Sequence, residues 1–497
     1  MANIIASVFA RSREQVIQQA NKAAMLGADW VELRLDVWPA QESLEPVIAA
    51  IRLPVLVACR TPQDGGSYRG TLTARRELLT HALNSGAEGI DLEQWEQWSP
   101  PAGLTQLKLR IRSFHSFTGV PKDLQQIRDE LSVPGTVVKL VVTAHDLADA
   151  APVFELLENT DQSVQPTVAF AMGRTAWPTR VLAAAMGAPL VYGSIGVESS
   201  TVPDQPNVVT LAQLYRVGSL SAQTKWYGVI GRPAMHSLGP WIHNRAFRRL
   251  AVDAIYVHLE TSRPESVVAM LPSDRAAGFS ITSPHKERML DACLHVSDEA
   301  AAVGVVNTMV AADGGGWLGS NTDVQGVRAA VESAGIIDGE GAAAVVLGSG
   351  GAARAAAYAL LQLGFKVTVL ARSHDPIRKF ADTYDVSLGS LSVAVLDELQ
   401  PKVIVHATPV GGVDRDCNQR LLPEYTPESG TIVHDMVYQP VFTKLLRDCR
   451  EAGATVIPGV QMFLHQARAQ VRLFTGKDLP DDVLRTFLAG SSGVNGF

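Results

Sequence analysis

The chain has 497 residues, of which 46% are hydrophobic and 19% are charged, and its formal net charge is −7. This length predicts about three domains. The sequence has no apolar run of about 18 residues that would predict a membrane span, and no basic tract that would indicate nucleic acid binding. Its four cysteines are widely spaced, which argues against a disulfide framework or a zinc site and fits a reducing cytoplasm. We expect neither a signal nor a transit peptide, because the first apolar strand begins by Asn3.

Short apolar runs alternate with helix-like segments along residues 1–218, which predicts a (β/α)8 barrel. The eight runs are Asn3–Phe9, Trp30–Leu35, Pro54–Arg60, Glu88–Glu93, Leu107–His115, Thr136–Val142, Thr167–Met172 and Pro189–Ser194. The carboxyl ends of barrel strands carry the chemistry, and six of these runs end in polar side chains: Ser7, Glu32, Arg34, Arg60, Asp91, Glu93, His115 and Lys139. A surface ion pair would explain any single one. Their recurrence on six strands indicates a common site.

Lys139 is the one charged residue in the apolar run Thr136–Val142. Burial disfavours an ammonium ion and lowers its pKa, which leaves a neutral amine that can attack a ketone. Lys139 is therefore a candidate for Schiff-base formation. The alternative is a lysine at the end of the sheet whose ammonium group reaches water, and this strand alone leaves both interpretations open.

The first part of the chain resembles the type I 3-dehydroquinate dehydratases over about residues 3–216. The motifs that carry the resemblance are Val31-Glu32-Leu33-Arg34-Leu35-Asp36, Cys59-Arg60-Thr61 with Asp64-Gly65-Gly66, Ile90-Asp91-Leu92-Glu93, Ser113-Phe114-His115, Val138-Lys139, Ala171-Met172-Gly173 and Pro203-Asp204-Gln205-Pro206.

The resemblance implies that Lys139 condenses with the substrate ketone and that His115 moves protons. Asp91 and Glu93 are expected to orient these groups. The residues expected to bind substrate are Ser7, Glu32, Arg34, Arg60, Arg180, Thr201 and Gln205. Thr201 stands where a serine is common and Asp64 where a glutamate is common, but both keep a polar group.

A second feature is the glycine-rich segment after the apolar run Val345-Val346-Leu347. Gly348-Ser349-Gly350-Gly351-Ala352 matches a dinucleotide-binding turn, in which the backbone approaches a pyrophosphate at a helix N-terminus. Such a turn alone is weak evidence. The next predicted strand, Lys366–Leu370, is followed by Ala371-Arg372-Ser373, where an NAD enzyme usually has an acid. Arginine suits a 2′-phosphate instead and predicts NADP, while Arg378 is either a second positive charge or a solvated helix residue.

Residues 225–485 resemble shikimate dehydrogenase. The motifs are His236-Ser237-Leu238-Gly239-Pro240, Gly278-Phe279-Ser280-Ile281-Thr282 with Lys286, Gly304-Val305-Val306-Asn307-Thr308, Asn321-Thr322-Asp323, His406-Ala407-Thr408-Pro409, Asp435-Met436-Val437-Tyr438 and Gly459-Val460-Gln461 through Gln466.

The second resemblance implies that Lys286 and Asp323 are the catalytic pair. It assigns substrate binding to Ser237, Thr282, Asn307, Tyr438 and Gln466, and NADP binding to Gly348, Ser349, Gly350, Gly351, Ala352, Arg372, Ser373, Met436 and Gly459. Three positions depart from the family, with Gly239 for a serine, Ser280 for an asparagine and His406 for an asparagine. The missing hydroxyl at 239 predicts weaker substrate binding, by about 1.5–3 kcal/mol.

We therefore expect an α/β protein with three parts: the barrel at 1–218, a substrate domain at 225–338 completed by 458–489, and a Rossmann-type NADP domain at 339–457. Val217–Thr224 is predicted to be a linker, and residues 490–493 a disordered tail. Together, the resemblances predict a fused enzyme that dehydrates 3-dehydroquinate and then reduces 3-dehydroshikimate.

Two other functions remain open at this stage. A non-catalytic metabolite sensor should have lost Lys139, His115 or Lys286, and all three are present. A quinate dehydrogenase in the second half is favoured by Ser237-Leu238-Gly239 and disfavoured by Arg372. The sequence predicts small-molecule substrates and no metal, and it gives no oligomeric state.

Overall fold

The structure is a computed structural model that describes residues 1–9, 11–39, 42–101, 103–104, 106–196, 204–336, 338–413 and 415–491, with the backbone alone for 488–491. Thr201 and part of the predicted tail at 490–493 lie outside the described residues. The chain divides into two compact units. The first comprises Met1–Trp226, Arg232–Pro240 and Asp253–Ala276, and the second comprises Tyr227–Gly231, Trp241–Val252 and the chain from Ala277 onward.

The first unit contains the predicted barrel. Its parallel strands lie side by side in the order β7-β6-β5-β4-β3-β2-β1-β8. Strands β1 to β7 are therefore adjacent in the order of the sequence, and β8 lies beside β1. Among the described residues these eight strands are β1 Asn3–Val8, β2 Trp30–Arg34, β3 Val55–Ala58, β4 Gly89–Glu93, β5 Leu109–His115, β6 Val137–Thr143, β7 Thr167–Met172 and β8 Leu190–Ser194. Each overlaps one predicted run, which confirms the fold class of this part of the chain.

Helices between the barrel strands begin and end at residues suited to those positions. The Ser12 hydroxyl accepts a hydrogen bond from the Gln15 N–H at the start of α1, and Gly27 ends this helix with a φ of 97° in the left-handed region. The helices are α1 Arg13–Leu26, α2 Glu45–Ala50, α3 Leu72–Asn84, α4 Leu124–Leu131, α5 Ala151–Glu158 and α6 Thr179–Ala185. The first unit also holds β10 Ala254–Glu260 and α8 Pro264–Met270.

The second unit contains two sheets. One has the order β9-β11-β13-β14-β12, with bounds β9 Lys225–Gly231, β11 Ala276–Ile281, β12 His295–Val296, β13 Thr308–Ala311 and β14 Trp317–Ser320. The other is parallel throughout, in the order β17-β16-β15-β18-β19-β20. Its strands are β15 Ala343–Leu347, β16 Lys366–Ala371, β17 Ser387–Ser390, β18 Val403–His406, β19 Ile432–Asp435 and β20 Thr455–Ile457.

The parallel sheet has the strand order of a Rossmann fold, which confirms the predicted dinucleotide-binding architecture. Its strands run in the order 3-2-1-4-5-6 from β17 to β20, and in such sheets ligands bind beyond the carboxyl ends of strands 1 and 4, here β15 and β18. The helices from residue 239 onward, apart from α8, are α7 Gly239–Arg249, α9 Asp298–Val303, α10 Thr322–Ser333, α11 Gly351–Gln362, α12 Arg378–Tyr384, α13 Val393–Leu399, α14 Lys444–Glu451, α15 Gly459–Thr475 and α16 Asp481–Ser491. None of the described helices is long and apolar enough to cross a membrane.

A buried ion cluster below the barrel site joins α3 to β4. Arg75 of α3 is fully buried, and it contacts Glu93 and lies 2.8 Å from Glu96. Its Nε donates to the Cys59 carbonyl at 2.7 Å. Removal of a cation that pairs with buried carboxylates leaves buried negative charge uncompensated.

We predict that Arg75→Met lowers the free energy of unfolding by about 3–5 kcal/mol, because buried Glu93 loses its paired cation and buried Glu96 keeps only the partly exposed Arg76. Arg76→Met is the matched control. Arg76 also binds Glu96, at 2.7 Å, but its side chain is 38% exposed, and we expect a loss below about 1 kcal/mol. Equilibrium urea unfolding compares the two, and equal losses would contradict the prediction.

Candidate active sites

Lys139 lies inside the barrel with 2% of its surface exposed. Its Nζ is 2.8 Å from Asp91 Oδ2 and 4.0 Å from Glu32 Oε1, and it lies 4.0 Å from the centre of the Tyr192 ring. The alternative of an ammonium group that reaches water is therefore wrong. Burial lowers the pKa of Lys139, Arg60 adds to this effect, and Asp91 and Glu32 oppose it.

Arg60 connects the other polar groups at the barrel mouth. Its Nη2 is 2.9 Å from Asp91 Oδ2 and 3.5 Å from Glu32 Oε1, and its Nη1 contacts both ring nitrogens of His115. Burial raises the pKa of Asp91, but Lys139 and Arg60 outweigh it and hold that pKa below its ordinary value. The Ser7 hydroxyl donates to Glu32 Oε2 at 3.0 Å. Two cations and two carboxylates thus meet at one point.

His115 faces this cluster as a neutral base. A guanidinium group has no acceptor, so a ring nitrogen beside it must accept a hydrogen bond. Burial, together with the charges of Arg60 and Lys139, lowers the pKa of His115 well below 6.5.

The predicted arginine ligands differ in the partners they already have. Arg34 makes a bidentate pair with Asp36, at 2.7 and 2.9 Å. Arg180 is 4% exposed and lies 4.0 Å from the centre of the Phe170 ring, and its Nε has no hydrogen-bond partner among the described residues. Burial lowers the pKa of Arg180 to about 9. Of these two guanidinium groups, Arg180 is the one left for an incoming carboxylate.

The remaining barrel residues differ in their hydrogen-bond partners. Gln205 Oε1 is buried and has no hydrogen-bond partner within the described ranges. Asp64 accepts hydrogen bonds from Thr61 Oγ1 at 2.8 Å and Trp95 Nε1 at 2.9 Å, so its carboxylate fastens the loop after β3. Glu93 faces Arg75 instead of Lys139, and burial raises its pKa to about 7.

Tyr192 is a residue of this site that the sequence pattern did not single out. It lies on β8 under Lys139, its hydroxyl is buried without a partner, and burial raises its pKa well above 10. The alternation of Leu190, Tyr192 and Ser194 on one side of a strand was the available signal.

The second site centres on Lys286 and Asp323, whose side chains are in direct contact. Asn307 Nδ2 donates to Asp323 Oδ1 at 2.8 Å and to Thr322 Oγ1 at 2.9 Å. The Thr308 hydroxyl donates to Asn307 Oδ1 at 2.8 Å and accepts from Gln470 Nε2 at 3.0 Å. These hydrogen bonds fix the carboxylate that faces Lys286.

Asn321 places Asp323 at the start of α10. Its Oδ1 accepts from the N–H groups of Asp323, at 3.1 Å, and Val324, at 3.3 Å, as a helix-capping residue does. Its Nδ2 donates to the Val305 carbonyl at 3.0 Å. The family resemblance gives Asn321 no function of its own, although an asparagine just before a helical pattern is a capping signal.

Other predicted dehydrogenase residues lie on separate elements. Within the second unit, Thr282 comes directly after β11, Tyr438 stacks on Phe463 with ring centres 5.1 Å apart, and Gln466 lies on α15. Ser280 is buried on β11. Ser237 belongs to the first unit, and its hydroxyl oxygen accepts a hydrogen bond from the Gly239 N–H at 3.1 Å.

The turn after β15 has the geometry that a dinucleotide requires. Gly348 has a φ of 124°, and a Cβ there would lie 3.0 Å from the Ala407 carbonyl oxygen. Gly350 precedes α11 with no side-chain cap and faces open space, and a Cβ on Gly351 would lie 3.1 Å from Val305. The first N–H groups of α11 are thus available to a pyrophosphate. Ser349 and Ala352 complete this turn.

The neighbouring strand ends carry the other predicted cofactor residues. Arg372 and Ser373 are exposed after β16, and Arg378 begins α12, 3.8 Å from Asp375. Met436 donates its N–H to the His406 carbonyl at 3.0 Å, and a Cβ on Gly459 would lie only 2.4 Å from the Val437 carbonyl oxygen. The backbone therefore comes close to itself at Gly459.

Comparisons with known proteins match both parts of the chain. Family models described as "Type I 3-dehydroquinase", "Shikimate dehydrogenase substrate binding domain" and "Shikimate 5'-dehydrogenase C-terminal domain" match residues 4–221, 229–309 and 459–486. A chloroplastic bifunctional 3-dehydroquinate dehydratase/shikimate dehydrogenase of Arabidopsis thaliana is 32% identical over 97% of this chain and 83% of its own. The chain belongs to this bifunctional family.

Two further relatives match the dehydrogenase half of this bifunctional dehydratase/dehydrogenase. The shikimate dehydrogenase (NADP(+)) of Methanothermobacter thermautotrophicus is 34% identical over 54% of this chain and 97% of its own. A crystal structure of a shikimate dehydrogenase in complex with NADP+ is 27% identical over 54% of this chain and 96% of its own, with a TM-score of 0.50. The chain is thus an enzyme with a lyase half and an oxidoreductase half.

We predict that the His115 imidazole of this dehydratase barrel stays uncharged at pH 6.5, because burial and the Arg60 guanidinium lower its pKa. A lowered pKa means that the ring takes up its proton only at more acidic pH. Imidazole ¹⁵N chemical shifts report the protonation directly. Arg60→Met removes one positive neighbour and should move the titration towards pH 6.5, and a ring that is half protonated at pH 6.5 in the unmodified protein would contradict the prediction.

Proposed function

We propose that Lys139 and His115 dehydrate 3-dehydroquinate to 3-dehydroshikimate in the barrel, and that Lys286 and Asp323 then serve the NADPH-dependent reduction of 3-dehydroshikimate to shikimate. The buried Lys139, whose amine lies between Asp91 and Glu32 beside a neutral His115, carries the first assignment. The product of one half is the substrate of the other.

In the first reaction the neutral Lys139 amine attacks the substrate ketone to form a carbinolamine, which takes up one proton from solvent and loses water to leave an iminium ion between Nζ and the carbonyl carbon. His115 takes a proton from the adjacent carbon, and the electron pair moves into the iminium group to form an enamine. The enamine expels hydroxide, which leaves as water with the proton that His115 holds. Hydrolysis of the imine releases dehydroshikimate and restores Lys139.

The substrate carboxylate binds to Arg180 in this proposal. In the part of the chain that the structure describes, no carboxylate pairs with Arg180, and a buried guanidinium group without a counter-ion gains most from a bidentate carboxylate; burial also lowers its pKa. Arg34 is already neutralised by Asp36 and serves mainly to hold the loop after β2. Gln205 Oε1 accepts from a substrate hydroxyl, and Thr201 keeps its predicted substrate contact as part of the proposal.

In the second reaction Lys286 donates a hydrogen bond, and then a proton, to the ketone oxygen. Asp323 holds the Lys286 ammonium in place, and Asn307 fixes Asp323. Bound NADPH supplies the hydride. Thr282, Tyr438, Gln466 and Ser237 bind the substrate.

NADP is held by the turn from Gly348 to Ala352 and by Arg372. The turn offers backbone N–H groups to the pyrophosphate, and Arg372 offers a guanidinium group to the 2′-phosphate. Arg378 contributes less, because Asp375 already lies 3.8 Å away. Ser373, Met436 and Gly459 complete the cofactor contacts.

The proposal keeps the three-part division of the chain, at 1–218, 225–338 with 458–489, and 339–457. The family matches at 4–221, 229–309 and 459–486 are compatible with it. A cytoplasmic location is supported by four free cysteines, at positions 59, 293, 417 and 449. Fractionation of the source cells tests this location, because the Arabidopsis relative is named chloroplastic.

The two functions should separate by mutation, because each depends on a different lysine. Lys139→Ala should abolish dehydration and borohydride trapping of the substrate while leaving reduction of dehydroshikimate unchanged. Lys286→Ala should reduce the second activity by about 10²–10⁴ and leave the first unchanged. A coupled assay that starts from dehydroquinate, with and without NADPH, measures both products.

Three results would argue against the proposal. Trapping that persists in Lys139→Ala would mean that another residue is the nucleophile. Equal loss of both activities in either variant would indicate one shared site. Oxidation of quinate faster than of shikimate by the unmodified protein would favour quinate dehydrogenase activity in the second half.

We predict that Arg372→Met raises the KM for NADPH by about one order of magnitude, because a charge-assisted bond to the 2′-phosphate is lost. The KM for NADH, which lacks this phosphate, should not change. Arg378→Met is the matched control and should alter neither value by more than about twofold. An equal effect of both substitutions, or a preference of the unmodified protein for NADH, would overturn the Arg372 assignment.

A further inference from the structure

The loop that carries Ser237 is held by two side chains of β10, within the first unit. Glu260 Oε2 accepts from the N–H groups of Ala234, at 2.7 Å, and Met235, at 3.0 Å. His258 Nε2 lies 3.0 Å from the Ser237 carbonyl oxygen. The Ser237 hydroxyl oxygen accepts from the Gly239 N–H, which leaves its own proton free to be donated to an anionic ligand. The position of this hydroxyl therefore depends on β10.

Side chains of the barrel region in turn hold β10 at two places. Tyr215, in the segment after β8, places its hydroxyl 3.3 Å from His258 Nδ1. At the end of β10, the Asp146 carboxylate accepts from the Thr261 hydroxyl at 2.5 Å and from the Ser262 N–H and hydroxyl at 2.8 and 2.7 Å. Asp146 comes from the loop after β6, the strand of Lys139.

The directions of the hydrogen bonds through His258 are set by its partners. The Ser237 carbonyl oxygen is only an acceptor, so Nε2 must carry a proton and donate it. Burial lowers the pKa of His258 to about 4, so the ring is neutral near pH 7 and Nδ1 is an acceptor. The Tyr215 hydroxyl therefore donates to Nδ1. Tyr215 is 2% exposed and His258 is 8% exposed, so these hydrogen bonds are shielded from water.

Packing restricts the two rings to this arrangement. Trp177, in the loop between β7 and α6, packs against both, with its ring centre 5.7 Å from that of Tyr215 and 6.4 Å from that of His258. Rotation of the imidazole would displace the indole and break both hydrogen bonds. The chain of contacts thus runs from the barrel, through Tyr215 and His258, to the backbone of Ser237.

We propose that Tyr215 and His258 are positioning residues for the Ser237 hydroxyl. This inference rests on the proposed function, in which Ser237 binds the substrate of the reduction. With glycine at 239, Ser237 offers the one hydroxyl of the Ser237-Leu238-Gly239 segment, so its position matters more.

The test measures both activities in the full chain. Tyr215→Phe should raise the KM for dehydroshikimate about fivefold, as expected for the loss of one buried neutral hydrogen bond, with kcat, the KM for NADPH and dehydratase kinetics within about twofold of the unmodified values. Tyr425→Phe, which removes the hydroxyl of a buried tyrosine in the core beside the parallel sheet, is the matched control and should change none of these constants.

Substitutions at His258 separate positioning from general stability. His258→Phe removes the donor to the Ser237 carbonyl and should raise the KM for dehydroshikimate at least as much as Tyr215→Phe. His258→Gln restores an N–H donor near the position of Nε2 and should recover part of the loss. In a Ser237→Ala background, Tyr215→Phe should have no further effect on this KM, because the positioned hydroxyl is absent.

Each outcome has a definite meaning. If the unmodified protein does not reduce dehydroshikimate, the proposed function is wrong. If it does, but Tyr215→Phe leaves the KM unchanged, only the positioning inference is wrong. A loss of both activities in Tyr215→Phe, or additive effects of Tyr215→Phe and Ser237→Ala, would also overturn it. If Tyr215→Phe fails to fold, the ratio of KM values between His258→Phe and His258→Gln decides.

Discussion

The barrel site depends on keeping four charges buried at one point. Each of the two cations, Lys139 and Arg60, lies within 4.0 Å of both carboxylates, Glu32 and Asp91. A single charge moved into such an interior would be strongly destabilising, and pairing offsets that penalty only when the geometry is well defined. The equal number of cations and carboxylates makes the burial tolerable. Arg60 also allows Lys139 to lose its proton, because Asp91 remains paired with Arg60 when the amine is neutral.

The second site fixes its ion pair by another means. Lys286 keeps partial access to solvent, with 18% of its side chain exposed, whereas Asp323 is buried, and neutral groups orient its carboxylate. Asn307 donates to the Asp323 carboxylate and accepts from the Thr308 hydroxyl. The Asn321 side chain accepts from the Asp323 N–H in the first turn of α10. A network of neutral groups orients a carboxylate without changing the charge of the site.

Local sequence pattern predicted the strands and the central lysine, but it could not predict the direction in which other side chains point. Strand periodicity located β1 to β8 to within about two residues, and the lysine in an apolar run identified Lys139. Pattern could not reveal that Asp36 already engages Arg34 while Arg180 Nε has no partner, since both are arginines in polar motifs. Nor could it reveal Arg75, whose sequence context is that of a helix surface residue but which is fully buried against two glutamates.

The departures from the shikimate dehydrogenase pattern have unequal consequences. His406 forms structural hydrogen bonds. Its Nδ1 lies 2.9 Å from one oxygen of Asp435, and its Nε2 lies 2.5 Å from the Thr408 hydroxyl. The other oxygen of Asp435 accepts from Thr443 at 2.6 Å. An imidazole bridges the two partners, so this change is accommodated inside the dinucleotide fold. Gly239 has no side chain that could replace the hydrogen bond of the usual serine. A serine there would bring its Cβ to 3.0 Å from the Tyr256 ring, so that ring would have to shift slightly to admit a side chain at 239. Under the proposed function, in which Ser237 binds the substrate, the substrate affinity of the dehydrogenase would depend more heavily on how firmly the Ser237 backbone is held.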